Sequence, residues 1–182
     1  MLIRTWIDHG RKKKLCNARP AWQSIGYRLS TYKSSMQTIG TDQLIDILQV
    51  DTENRTVTVE PCVTIGQLLD ALIPMGFTLP LVPTFDDLTV GGLINGCGFG
   101  SSGRKYGLFQ HICTSYELLM PDGSVITASH SRKSAQPSEN HALFYGVPWS
   151  CGSLGFIVSA TLKIIPCKPF VKLTYIPCDS IE

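Results

Sequence analysis

Hydrophobic and polar positions change their rhythm several times along the chain, and each change predicts an element. Leu2 to His9 predicts a short helix, followed by the basic run Arg11 to Lys14. LCNARPAW then reads as a strand ending in a turn at Arg19-Pro20. The runs DILQV and TVTVEPCV, rich in strand-forming residues and separated by the polar cluster DTEN, predict a hairpin. In TIGQLLDALIPMGFTLP the period lengthens: Ile65, Leu68, Leu69, Leu72 and Ile73 recur at helical spacing. Thr64 and Gln67 have the spacing of a capping box, in which each side chain satisfies an orphan backbone N–H. Gly76 suits a left-handed stop. A second hairpin is predicted in TSYELLMPDGSVITAS around Pro121-Asp122-Gly123, followed by a polar, mobile loop over residues 129–140. HALFYGVPW predicts a short helix, and the small-residue turn SCGSLG leads into a strong strand from Phe156 to Ile165. Strands and helices are mixed without a strict βαβ rhythm, so the expected class is α+β, or a mixed α/β, rather than a simple doubly wound parallel sheet.

One stretch fits none of these rhythms. TVGGLINGCGFGSSGRKYG, residues 89–107, holds seven glycines. Each raises the entropy cost of ordering the chain by roughly 0.5–1 kcal/mol relative to alanine, so something here needs bare backbone. GCGFGS is a near miss to the G-x-G-x-x-G dinucleotide fingerprint, with Glu117 near the spacing of a ribose-binding acid. The turn-rich PTFDDL before it breaks the strand–turn–helix context that fingerprint requires, and no G-K-[ST] tail makes a P-loop. Two readings remain open: close packing of chain against chain, or a cradle of backbone N–H groups for a diphosphate. In the second, TVGGLI supplies a helix start, Asn95, Ser101 and Ser102 add neutral donors, and Arg104 and Lys105 lie near in sequence. Asp86 and Asp87 read as turn and helix-capping residues.

Composition narrows the classes. At 182 residues, 43% hydrophobic and 16% charged, the chain can bury a substantial core. A net charge of +2 is too small to argue for nucleic acid or an anionic membrane surface. No stretch approaches the ~18–20 apolar residues that cross a bilayer. The seven cysteines show no C-x-x-C spacing and are expected as small buried hydrophobes in a reducing compartment. Among the four histidines, His9, His130 and His141 are expected in solvent, and His111 is placed either structurally or facing a cofactor. No metal-ligand spacing, G-x-S-x-G serine or carboxylate pair stands out, so no catalytic residue is singled out.

DDLTVGGLINGCGFGSSGRKYGLFQHICTSYELLMPDGS, followed by LFYGVPWSCGSLGFIVSATLKIIP, resembles the FAD-binding domain of the vanillyl-alcohol oxidase/p-cresol methylhydroxylase (PCMH) type. Within that superfamily the blocks DDLTVGGLI, KYGLFQHICT and VPWSCG are most similar to the Δ24-sterol reductase family. The resemblance implies a two-subdomain FAD-binding domain over residues 1–182, divided at 88/89, with an incomplete first subdomain. It places Thr89, Val90, Gly91, Gly92, Leu93, Ile94, Asn95, Gly96, Cys97, Gly98, Phe99, Gly100 and Ser101 along the FAD diphosphate and toward the isoalloxazine. Gly152 and Gly155, in the CGSLG turn, match a second glycine turn against the cofactor. RPAWQS (Arg19 to Ser24) falls where other members have a phosphate turn, sometimes with a flavin-linked histidine; none stands here, which implies non-covalent FAD.

The resemblance further implies NADPH as hydride donor and a sterol side-chain C24=C25 bond as acceptor. It also implies an endoplasmic reticulum membrane setting, a membrane anchor before these residues and a substrate cap domain after them. On that footing the chain is expected to be incomplete and poorly soluble alone. Another FAD-linked oxidase of the superfamily and a non-catalytic flavin-binding fragment are the alternatives.

Overall fold

The β-rich runs pair into one main sheet and two small ones. The computed structural model describes residues 2–20, 30–96, 98–130, 139–178 and 180. The N-terminal helix α1 (Leu2–Asp8) precedes β1 (Leu15–Asn17), which pairs in parallel with β2 (Gln37–Ile39). Lys33 ties this small sheet together, donating from Nζ to Asn17 Oδ1 (2.8 Å), to the Asn17 carbonyl (3.0 Å) and to the Arg19 carbonyl. The rest of RPAWQS, Ala21 to Ser24, lies outside the described residues.

The predicted hairpins both form. β3 (Ile47–Asp51) and β4 (Thr56–Val59) are antiparallel, closed by Asn54, whose backbone N–H and side-chain amide both donate to the Asp51 carboxylate. β6 (Cys113–Leu119) and β7 (Val125–Ser129) are antiparallel about a turn in which the Asp122 carboxylate accepts from Ser124 N (2.8 Å) and Oγ (2.6 Å). β8 (Phe156–Lys163) lies between the hairpins and joins them into an antiparallel sheet of order β3-β4-β8-β6-β7. The sheet draws strands from both sides of residue 88. β5 (Phe77–Thr78) and β9 (Ile165–Pro166) form a further antiparallel pair.

The capping box is present as predicted. The Thr64 hydroxyl accepts from Gln67 N (3.2 Å), and Gln67 Oε1 accepts from Thr64 N (2.9 Å), opening α2 (Ile65–Leu72). Ile65, Leu68 and Leu72 are fully buried against the sheet residues Val57, Val59, Leu118 and Leu162. Ile73 departs from the expected stripe and is exposed, because the chain tightens into a 3-10 turn over Ile73–Met75 before Gly76 reverses at φ 81°. α5 (Glu139–Gly146) is the short helix expected near HALFYGVPW, but it ends before Val147. Its Phe144 stacks on the buried Tyr116 of β6, ring centroids 4.8 Å apart. Most of the polar loop before it, residues 131–138, lies outside the described residues.

Two expectations about single residue types are corrected. Of the described cysteines only Cys113 is buried; Cys151 and Cys178 are exposed, and Cys16, Cys62 and Cys167 are intermediate. His141 is half-buried rather than solvated. Its Nδ1 has no hydrogen-bond partner among the described residues, and its ring meets Tyr145 edge-on at 5.1 Å.

Candidate functional site

The glycine-rich stretch folds into two short helices joined by an irregular loop. α3 (Val90–Asn95) starts at Thr89, whose hydroxyl accepts from Gly92 N (3.3 Å); α4 (Gly103–Tyr106) follows the loop. Thr89, rather than Asp86 or Asp87, is therefore the cap. Asp86 serves the other helix instead, its backbone carbonyl accepting the Gly66 N–H (3.0 Å).

The start of α3 is not open to a ligand. Val90 N–H donates to the Val63 carbonyl (3.0 Å) and Gly91 N–H to the Pro61 carbonyl (2.8 Å). The helix start expected to offer its N–H groups to a diphosphate is spent on the protein's own loop. The free donors lie further on: among the described residues no protein acceptor takes the backbone N–H of Phe99, Gly100 or Ser101. Successive unclaimed N–H groups in a glycine-rich bend are the chemistry of an anion nest. The Ser102 hydroxyl is not part of that set, because it donates to the Pro80 carbonyl at 2.8 Å.

Several glycines are required for packing. A Cβ on Gly91 would stand 2.7 Å from Pro61 Cβ, one on Gly98 2.4 Å from Phe109 Cβ, and one on Gly100 2.5 Å from the Val82 carbonyl oxygen. Of the two readings left open by the sequence, close packing of chain against chain is therefore present. Gly91, Gly98 and Gly100 let chain lie on chain, and the same close packing presents the loop backbone from 99 to 101. Cys97 lies outside the described residues.

Two distant segments dock on this stretch. Arg19, the first residue of RPAWQS, donates from Nη1 to Thr89 Oγ1 (3.0 Å), across 70 positions of sequence. At the other end of α3, Trp149 N–H donates to the Ile94 carbonyl (3.3 Å) and Cys151 N–H to the Asn95 carbonyl (3.0 Å). Ser150 Oγ donates to Asn95 Oδ1 (3.3 Å). The docked turn carries left-handed backbone at Trp149 (φ 68°), Cys151 (φ 52°) and Gly152 (φ 78°). Non-glycine residues rarely adopt that region, and such strain is held only where surrounding contacts over-determine it. Here the carbonyls at the C-terminal end of α3 do so. No sequence signal marked Trp149 or Cys151 as strained.

The remaining candidates lie apart. His111 is exposed, and its Nδ1 accepts the Leu108 N–H (2.8 Å), so its ring is fixed locally. Glu117 sits on β6, where its carboxylate accepts from Ser159 Oγ of the neighbouring strand (2.6 Å). Arg104 and Lys105 are exposed on α4. Among the described residues no cluster of His, Cys, Asp and Glu has the arrangement to hold a metal ion.

Known proteins match the chain along nearly its whole length. Residues 11–129 match the family model described as FAD binding domain. The Δ24-sterol reductase homolog of Caenorhabditis elegans is 52% identical over 182 residues, covering 99% of the chain and 35% of that protein. The human Δ24-sterol reductase is 49% identical over 180 residues, covering 99% of the chain and 33% of the enzyme. The Arabidopsis thaliana Δ24-sterol reductase is 37% identical over 171 residues, 93% of the chain and 29% of the enzyme. The chain thus spans about a third of the length of the curated relatives it matches. Docked around one glycine-rich stretch and matched along nearly its whole length, the chain belongs to the FAD-binding domain family, as a homologue of the Δ24-sterol reductases.

Proposed function

We propose that this chain is the flavin-binding part of an FAD-dependent reductase of sterol side chains, with the cofactor held non-covalently between Arg19, the loop Gly96 to Ser101 and the turn Ser150 to Gly155. The observation that carries the reading is the docking of those segments on the two ends of α3: Arg19 on Thr89, and Trp149 and Cys151 on Ile94 and Asn95. The donor set fits the group. A diphosphate is an anion satisfied by neutral N–H donors, and the N–H groups of Phe99, Gly100 and Ser101 are claimed by no described protein acceptor. Thr89 to Asn95 act on this reading by placing that loop, and Gly152 and Gly155 by keeping the second turn's backbone bare.

FAD, when bound, would supply two-electron redox chemistry between NADPH as donor and the C24=C25 bond of a sterol as acceptor. The chain's own contribution is to bind and orient. The Arg19–Thr89 contact fixes the spacing between the two cofactor-facing segments, and the buried Leu93, Ile94 and Phe109 hold α3 and its loop rigidly on the sheet. We assign the proton that completes the reduction to no residue of this chain. The superfamily's two-lobed arrangement then corresponds to the small β1–β2 sheet and the five-stranded sheet, whose strands cross the boundary expected at residue 88. The endoplasmic reticulum membrane is the inferred setting of the longer protein. Among the described residues no helix is long and apolar enough to cross a membrane.

Anaerobic mixing of the flavin-loaded full-length protein with NADPH tests the reading. Bleaching of the flavin absorbance, slow reoxidation by oxygen and faster reoxidation by a Δ24-sterol are expected. Rapid reoxidation by oxygen with no response to sterol would make the protein an oxidase.

A further inference from the structure

A cleft of about 580 Å³ opens beside the β3–β4 turn, away from the segments assigned to the flavin. None of residues 89–101 or 149–155 lines it. Its lining brings together Arg55, Lys105, Lys163 and His111, and contains no aspartate or glutamate. Each basic group arrives from a different element. Arg55 ends the β3–β4 turn at φ 54°, and its carbonyl accepts the Ile164 N–H (2.9 Å), which ties the turn to the end of β8. Thr56 pairs with Lys163 in the β4–β8 ladder, so Arg55 adjoins that pair in the chain, and both Arg55 and Lys163 line the cleft. Lys105 comes from α4, its Nζ 4.8 Å from the centroid of the Tyr106 ring.

His111 is held with unusual firmness for an exposed residue. Its Nδ1 accepts the Leu108 N–H, so the neutral ring carries its proton on Nε2 and is a donor there. Gly107 at φ 80° makes room for that ring: a Cβ there would stand 2.2 Å from Nδ1.

The three cations have no carboxylate partner among the described residues. Asp51, at the far end of the same turn, is engaged by Asn54. Like charges around one concave surface repel each other and focus a positive potential into it, and an anion relieves both. The lining also includes the buried Ile112 and Ile164 and the Tyr106 ring, which supply an apolar surface. A bare inorganic anion would leave that surface wet. The volume lies in the small-molecule range of roughly 300–1,000 Å³.

We propose that this cleft binds a phosphorylated small molecule of nucleotide size, with the phosphate among Arg55, Lys105 and Lys163 and its aromatic or apolar body over Tyr106. The probe is 2′,5′-ADP, titrated calorimetrically into the chain. Saturable binding that weakens with added salt is expected. The exposed double variant Arg55→Gln/Lys163→Gln should weaken it by about tenfold or more while leaving the circular dichroism unchanged. FAD should not compete. The proposal is overturned by absent binding, by undiminished binding in the double variant, or by inorganic phosphate binding as tightly as the nucleotide. Competition by FAD would overturn it too, since the cleft would then belong to the flavin seat.

Discussion

Gly98 and Gly152 are both glycines of the candidate site, and they are glycine for different reasons. At Gly98 the constraint is contact: a Cβ would stand 2.4 Å from Phe109 Cβ and 3.2 Å from Leu93 Cβ, both in the buried core. At Gly152 nothing lies within 4 Å, and the constraint is the backbone at φ 78°. Substitutions should separate the two. Gly98→Ala should lower the unfolding free energy by about 1–3 kcal/mol through overpacking, and Gly98→Asn by no less. Gly152→Ala should cost about 1–2 kcal/mol, most of it recovered by Gly152→Asn, because asparagine tolerates the left-handed region. Urea midpoints measure both, and an equal loss for the two asparagine variants would contradict the distinction. The density of glycine was legible in the sequence, but its division of labour was not. Phe109, Val82 and Pro61, which force Gly98, Gly100 and Gly91, come from other elements, so only the folded chain shows the contact. Arg19 and Thr89, 70 residues apart, are hidden for the same reason.

Elements were legible where their signals are local. The Thr64–Gln67 capping box and the turns closing β3–β4 and β6–β7 are written within a few residues, and each formed where the pattern placed it. The insertion of β8 between two hairpins was not legible, because strand order depends on which apolar faces meet. β6 carries the clearest pH dependence. Burial pushes the Cys113 thiol up from 9.0 to about 12, and pushes the Tyr116 phenol up as well. Both groups are neutral in the fold and hold their protons to higher pH there than in the unfolded chain. Their contribution is complete below the unfolded value near 9 and is lost as pH rises toward the folded value. The melting temperature should therefore fall steeply above about pH 9, and less steeply in Cys113→Ala. A wild-type melting temperature that stays flat to about pH 11 would contradict this account. Tyr116→Phe should be tolerated, since the buried hydroxyl has only the weakly bonding Cys113 thiol beside it to lose.

At the scale of the molecule, the most exposed of the large apolar groups lie beyond β9. Phe170, Val171, Leu173, Tyr175 and Ile176 are 72–95% exposed, in a stretch with no strand or helix of its own. Adjacent apolar side chains at that exposure are an adhesive surface, in keeping with the poor solubility expected of this chain. Val171→Lys with Leu173→Lys should raise the concentration at which the chain remains monomeric by light scattering. No change would place the adhesive surface elsewhere. The main sheet, by contrast, is covered by α2, α3 and α5 through the continuous core from Val57 to Ile164. That core holds the two ends of α3 against Arg19 and the Trp149–Cys151 turn, and the proposed flavin seat depends on that arrangement. The most direct test is a visible absorption spectrum of the purified chain before and after acid precipitation. A flavin spectrum that passes into the supernatant is the predicted result. A folded chain that stays colourless even after incubation with excess FAD would contradict the claim that these three segments form a flavin seat.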